Sequence, residues 1–286
     1  MTATDPSPAP LLDVRNLRKT YLSHGTEVHA VRDVSLVLHA GESIGIVGES
    51  GSGKSTTARM LVGLEPPDSG EILVRGVPLA TDRGSRDARL AQARAVQIVF
   101  QDPYLSLDPR VTVGASIDAV LKLHGTGDRA ARSARIEELL GQVGLGRREA
   151  DVLPRRLSGG QRQRVAIARA LAVEPSVLVL DEAVSALDVS VQAQVLNLLG
   201  DIRRTTGVGL VFVSHDLAVV RYVCETALVM RRGEVVEAGN TRRLLDDPQH
   251  PYTRLLLDAV PRPGWDPDGI TALRRLADAT DAAPSS

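Results

Sequence analysis

Five short stretches of this 286-residue sequence carry side chains whose types and spacing could do chemistry. "GESGSGKST", Gly48 to Thr56, follows the apolar run "SIGIV" and leads into "KSTTARMLVGL", which has helical spacing. Strand, glycine-rich loop and helix in that order make a phosphate cradle. The glycines let backbone N–H groups turn inward, Lys54 reaches β- and γ-phosphates, and the Ser55 hydroxyl is placed for Mg2+. "VLVLDE" ends a buried apolar run with Asp181, which could hold a Mg2+-bound water, and Glu182, placed to take a proton from an attacking water. An isolated Asp-Glu pair is more often a solvated turn; a phosphate loop in the same chain reverses this in favour of the chemical reading. Gln101 closes "AVQIVFQ" and His215 closes "GLVFVSH". Ligands of open α/β sheets bind beyond the carboxyl ends of the strands, so both side chains should point toward the γ-phosphate and the metal. A lone histidine in such a place is commonly structural, but the two residues together converge on one point. The fifth stretch, "RLSGGQRQRVAIARAL" from Arg156 to Leu171, puts Ser-Gly-Gly at a second helix start, where bare backbone N–H groups attract phosphate.

The elements that must position these residues are legible in outline. "LLDVRNLRKTY", "VHAVRDVSLVLHAGE" and "SGEILVRGVPL" read as strands bounded by turns. "SVLVLDE" is a continuous β-branched run of the kind buried in parallel sheets, and it is followed by the helical "SVQAQVLNLLGDIRRTTG" and the strand "GLVFVSHD". Alternating strands and helices imply a three-layer α/β fold with a parallel sheet. From about residue 83 to 172 the chain turns rich in Ala, Leu, Arg and Glu, apart from the strand-like "AVQIVF". That segment reads as a helical insertion in an α/β core. Residues 1–10 read as a disordered leader and 11–245 as the main domain. Residues 246–286 read as a Pro-punctuated extension with a disordered end.

Composition narrows the function classes. Apolar residues make up 43%, enough for a large core, and the formal net charge of −1 gives no electrostatic footprint for nucleic acid. Aromatics are 2%, which argues against a base-stacking platform. The single Cys224 excludes an intrachain disulfide and reads as a small buried hydrophobe. No stretch approaches the ~18 consecutive apolar residues of a bilayer span, and the N-terminus lacks the basic and apolar runs of a secretory signal. A membrane-bound partner stays compatible with all of this.

Taken together, the motifs resemble the ATP-binding subunits of ABC transporters over residues 11–261. "GESGSGKST" resembles the Walker A loop, "VLVLDE" the Walker B strand, "LSGGQ" the signature and "SALD" the D-loop. The resemblance implies a P-loop NTPase fold with a RecA-like parallel core, an antiparallel β subdomain and an inserted α-helical subdomain. It implies ATP and Mg2+ as ligands, with Lys54, Glu182 and His215 catalytic and Ser55, Gln101 and Asp181 at the metal. The nucleotide would touch Tyr21 through adenine stacking, the loop Gly48, Glu49, Ser50, Gly51, Ser52, Gly53, Lys54, Ser55 and Thr56, and Gln101, Asp181 and Asp188. In this family two cassettes face each other head to tail, so Ser158, Gly159, Gly160 and Gln161 would cap the nucleotide of the opposing subunit. Two phosphate-binding helix starts in one chain then mean two half-sites.

A narrower resemblance, carried by "HPYTRLLLDAVP", "FQDPYLSLDPRVTVG" and "DEAVSALDVSVQAQVLNLL", is to the second of the paired ATPases of oligopeptide/dipeptide importers. It implies a non-identical ATPase partner, two transmembrane permease subunits docking near residues 101–123, and an extracytoplasmic solute-binding protein. It also implies a peripheral place on the cytoplasmic face of the membrane. The tail lacks the cysteines that many such proteins carry, and Ala183 stands where many have Pro. Nickel or another small solute is the alternative cargo. An ABC ATPase of DNA maintenance is the alternative class, although no coiled coil, zinc cysteines or basic surface is visible.

Overall fold

A computed structural model describes residues 9–23, 25–79, 85–102 and 106–259. The expected leader through residue 8, the tail from residue 260 and residues 103–105 of "DPYLSLDP" lie outside them. The first strands, β1 (Leu12–Ser23) and β2 (Thr26–Leu38), pair antiparallel from Leu12↔Leu38 to Ser23↔Thr26. The apolar strand β3 (Ser43–Val47) then enters the glycine-rich loop and α1 (Lys54–Leu61). Strands β4 (Ser69–Val74) and β5 (Val77–Pro78) extend the antiparallel lobe on the far side of β1.

Next come α2 (Arg86–Ala95), which buries none of its residues, and β6 (Val96–Phe100). A helical group follows: α3 (Val113–Leu123), α4 (Arg129–Gln142), the short α5 (Arg147–Ala150) and α6 (Gly159–Leu171). The chain returns to the sheet through β7 (Val177–Asp181), α7 (Val189–Thr206), β8 (Gly209–Ser214) and α8 (Leu217–Val223). A hairpin of β9 (Thr226–Arg231) and β10 (Glu234–Asn240) precedes α9 (Thr241–Asp246) and α10 (Pro251–Asp258).

Among the described residues ten strands form one sheet in the order β5-β4-β1-β2-β10-β9-β3-β8-β7-β6. The strands β9, β3, β8, β7 and β6 run parallel. The antiparallel lobe joins them at a narrow seam, where Glu234 pairs with Asp33 and Arg32 N–H donates to the Gly233 carbonyl at 2.8 Å. β3, β7 and β8 are buried at every residue, which requires cover on both faces. Successive side chains point to opposite faces. Ile44, Ile46, Val177, Val179, Val211 and Val213 join one apolar cluster, while Val47, Leu178, Leu180, Leu210 and Phe212 join another with α6, α7 and α8. Among the described residues no helix is long and apolar enough to cross a membrane.

This register brings the chemistry to one edge. Val47 lies beside Ser214, Val213 beside Asp181, and Asp181 beside Phe100. The loop at Gly48, His215, Glu182 and Gln101 therefore leave four neighbouring parallel strands at their carboxyl ends.

Candidate nucleotide site

The loop between β3 and α1 is pressed against two carbonyls from behind. A Cβ on Gly48 (φ +155°) would stand 2.2 Å from the Met230 carbonyl oxygen, and one on Gly53 (φ +102°) would stand 2.2 Å from that of Ala30. Both positions need a residue without a side chain. The Gly233 N–H also donates to the Ser52 carbonyl at 3.0 Å. Within this frame Lys54 is 4% exposed and its Nζ donates to the carbonyls of Gly48 and Glu49, each at 2.8 Å. Asp181 is 8% exposed and accepts from Ser55 Oγ at 3.0 Å.

Burial pushes the Lys54 ammonium below its ordinary pKa, with the charges of Glu182, Asp181 and Glu49 pulling the other way. Burial pushes Asp181 above the usual carboxylate value against the Ser55 hydrogen bond, and the neighbouring Glu182 charge adds to the rise. Each charge has lost water without gaining a full counter-charge. Lys54 is set to receive an anion and Asp181 a cation. The oxygens of Ser55 and Asp181 are hard donors, suited to a Mg2+ that keeps part of its water and binds phosphate as well. Among the described residues there is no cluster of three or more His, Cys, Asp or Glu for an all-protein metal cage.

Glu182 has φ +50°, a left-handed backbone that costs a non-glycine residue about 1 kcal/mol or more. Its N–H is fixed to the Val213 carbonyl at 2.9 Å, and Oε1 lies 3.5 Å from His215 Nδ1. A cleft of about 620 Å³ gathers Tyr21, Ser50, Gly51, Gly53, Lys54, Ser55, Thr56 and Glu182. It is also lined by Val28, His29, Ala30, Arg32 and Arg232, from β2 and the β9–β10 turn. No motif spacing marks those five residues; only the pairing of distant strands brings them in. The Tyr21 ring is partly exposed, with Lys19 Nζ 5.5 Å from its centroid.

Other sequence-derived candidates stand apart from this cleft. Ser52 is buried beneath the loop, and Glu49 lines a second, smaller cavity with Tyr252. Gln101 Nε2 donates to Ser185 Oγ at 3.0 Å, and that hydroxyl donates to the Glu182 carbonyl at 3.0 Å, so Gln101 touches the turn after the acid. Ser158 caps α6: its Oγ accepts from Gln161 N–H at 3.2 Å while Gln161 Oε1 accepts from Ser158 N–H at 2.9 Å. Gly160 has a packing reason of its own, since a Cβ there would lie 2.3 Å from Val191 Cγ1 on α7. Ser158, Gly159, Gly160, Gln161 and Asp188 do not line the Lys54 cleft.

A parallel sheet with this strand-loop-helix unit at its carboxyl edge defines the P-loop NTPase class. The chain belongs to the ABC transporter family, which matches residues 31–185, and residues 236–284 match the oligopeptide/dipeptide transporter C-terminal region. It is 48% identical over 259 residues, 88% of this chain, to the glutathione import ATP-binding protein GsiA of Salmonella typhimurium. The chain spans only 41% of that relative's length. It is 45% identical over 262 residues to a Brucella ovis protein named for peptide import as an ATP-binding protein, covering 92% of this chain and 81% of the relative. Among solved structures, a dimeric ABC cassette in a post-hydrolysis state with ADP and Pi is 31% identical with a TM-score of 0.72, covering 81% of this chain and 99% of that one. The cassette cbiO1 of Clostridium perfringens, part of an ABC transporter complex, is 25% identical with a TM-score of 0.74, covering 96% and 99%.

The raised pKa of Asp181 has a definite sign for stability. Its contribution favours the fold below the unfolded pKa and is lost as pH rises through the higher folded value. Asp181→Asn keeps the acceptor for Ser55 and removes the charge. The ligand-free variant should melt higher than wild type at pH 7, because the charge that burial disfavours is gone. The gain should shrink as pH falls toward about 4. Calorimetric melting from pH 5 to 8 checks this; a lower melting temperature for the variant at pH 7 would contradict it.

Proposed function

We propose that this chain is the ATP-hydrolysing subunit of an importer of oligopeptides or dipeptides. It works head to tail with a second, non-identical cassette at the cytoplasmic face of the membrane, driving two separate permease subunits fed by an extracytoplasmic solute-binding protein. The observation that carries the reading is the convergence of Lys54, the Ser55–Asp181 pair and the Glu182–His215 pair at one edge of the sheet. The C-terminal match and the names of the relatives support the cargo class. Glutathione is itself a tripeptide, so the two import names describe related cargo. The dimer of the solved post-hydrolysis cassette supports the paired arrangement.

In this reading Lys54 turns its ammonium to the β- and γ-phosphates, and the loop amides before α1 hold the same oxygens. Ser55 and Asp181 would hold Mg2+, which would supply positive charge to the phosphates. Tyr21 offers a flat face to adenine. Glu182 accepts a proton from the water that attacks the γ-phosphorus as the bond to the β-phosphate oxygen breaks, leaving ADP and phosphate. His215 keeps the Glu182 carboxylate and the γ-phosphate in register. Gln101, bonded through Ser185 to the Glu182 backbone, relays the state of the site to the helical group and the permease. From the opposing subunit, the Ser158 hydroxyl and the Gly159 and Gly160 amides close over the γ-phosphate, with Asp188 at the seam.

Glu182→Gln should bind ATP about as well as wild type while turnover falls ~10²–10⁴-fold, the usual contribution of a general base. Lys54→Ala should weaken binding itself. Hydrolysis by Glu182→Gln near the wild-type rate in the assembled complex would show that another group takes the proton.

Ser158→Arg tests the opposed arrangement. Nucleotide binding to the isolated chain should be unchanged, with the defect confined to closure and hydrolysis at the partner's site. Paired with a Walker A knockout in the partner, it places both lesions in one composite site and should spare the other. Paired with Lys54→Ala in the same chain, it should remove both. Single-turnover measurement at each site reads the outcome, and a Ser158→Arg chain unable to bind ATP alone would reject the arrangement.

A further inference from the structure

The C-terminal extension reaches back to the phosphate loop through the side chain of Tyr252. Glu237 on β10 accepts from the backbone N–H groups of Gln249 at 2.9 Å and His250 at 3.1 Å, which pins the entry to α10. His250 then caps the helix, its Nδ1 accepting from Tyr252 N–H at 3.1 Å, and Pro251 occupies the first turn, where a missing N–H is harmless. His-Pro-Tyr is thus a helix start that aims its third residue inward. Tyr252 is 1% exposed, with the Arg231 guanidinium 4.7 Å from its ring centroid. Its hydroxyl oxygen accepts from Glu49 N–H at 3.1 Å, across 203 residues of sequence.

The peptide unit that carries the Glu49 N–H also carries the Gly48 carbonyl. It is trans, so the two groups point in opposite directions. On its other side the Gly48 carbonyl accepts from Lys54 Nζ at 2.8 Å. One rigid plane therefore sits between the Tyr252 hydroxyl and the Lys54 ammonium. Fixing the N–H end fixes the direction of the carbonyl, and a hydrogen bond accepted from the N–H makes the carbonyl a better acceptor. Gly48 carries no side chain that could hold this plane, so the hydrogen bonds at its two ends set its direction.

We propose that Tyr252 is a positioning residue for Lys54, acting through the Gly48–Glu49 peptide. This rests on the reading of Lys54 as a phosphate-binding group. The extension thereby sets the resting geometry of the nucleotide loop, besides packing on the core. Packing alone would require the ring and its Arg231 contact but not the hydroxyl.

Tyr252→Phe in the full chain separates the two roles, because it keeps the ring and removes the hydroxyl that accepts from Glu49 N–H. Amide exchange at Glu49 in the ligand-free protein should accelerate about tenfold, with Ile46 in β3 unchanged. Affinity for Mg2+-ADP should fall about 3–10-fold, the range for one net hydrogen bond. Unchanged exchange at Glu49, or unchanged affinity beside altered exchange, would overturn the proposal. Wild-type protein decides the contact without any variant: free exchange at its Glu49 amide would also overturn it. Absence of nucleotide binding by wild type would instead reject the nucleotide reading, with the exchange at Glu49 still deciding whether Tyr252 holds the peptide.

Discussion

The site depends on a steric constraint: the loop from Gly48 to Gly53 is wedged between the Ala30 carbonyl of β2 and the Met230 carbonyl of β9. Those strands belong to opposite sides of the narrow seam that joins the antiparallel lobe to the parallel sheet. The wedge leaves no room for a Cβ at either glycine, so the loop can take one path only. That path wraps backbone carbonyls around Lys54 and sets Ser55 against Asp181. The cradle is therefore a product of the whole sheet, although its motif is local.

Electrostatics follow from that packing. Lys54 and Asp181 are each buried deeply enough to disfavour their charged forms, in opposite directions on the pKa scale. A phosphate with its cation would supply the missing charge to both at once. Strain is placed beside them, in the left-handed backbone of Glu182. A fold under selection for stability alone would remove all three features, and their concentration at one strand edge marks a functional site.

Much of this was legible in the sequence, and the reasons for the rest are physical. β3, β7 and β8 announce themselves as unbroken apolar runs because both of their faces are covered. The phosphate loop is legible because its chemistry is contiguous. The β9–β10 hairpin is not, since β9 is buried nearly throughout while β10 is half-exposed and lacks clear alternation. Gly160 reads as a bare phosphate-facing residue, yet its neighbour Val191 gives it a packing role as well. Gln101 ends its strand where expected, but its amide rests on Ser185, a partner 84 residues away. Tyr252 lies farther still from Glu49. Periodicity reports which face of an element is buried; it carries no information on which distant backbone group waits there.

The most direct measurement is the titration of Lys54 itself, followed through its side-chain ¹³Cε shift in protein without nucleotide and with Mg2+ and a non-hydrolysable ATP analogue. A desolvated ammonium awaiting an anion should titrate below the ordinary lysine value near 10.4 without ligand and shift upward on binding. A Lys54 that titrates at the ordinary value in the free protein, or does not respond to the nucleotide, would contradict the account.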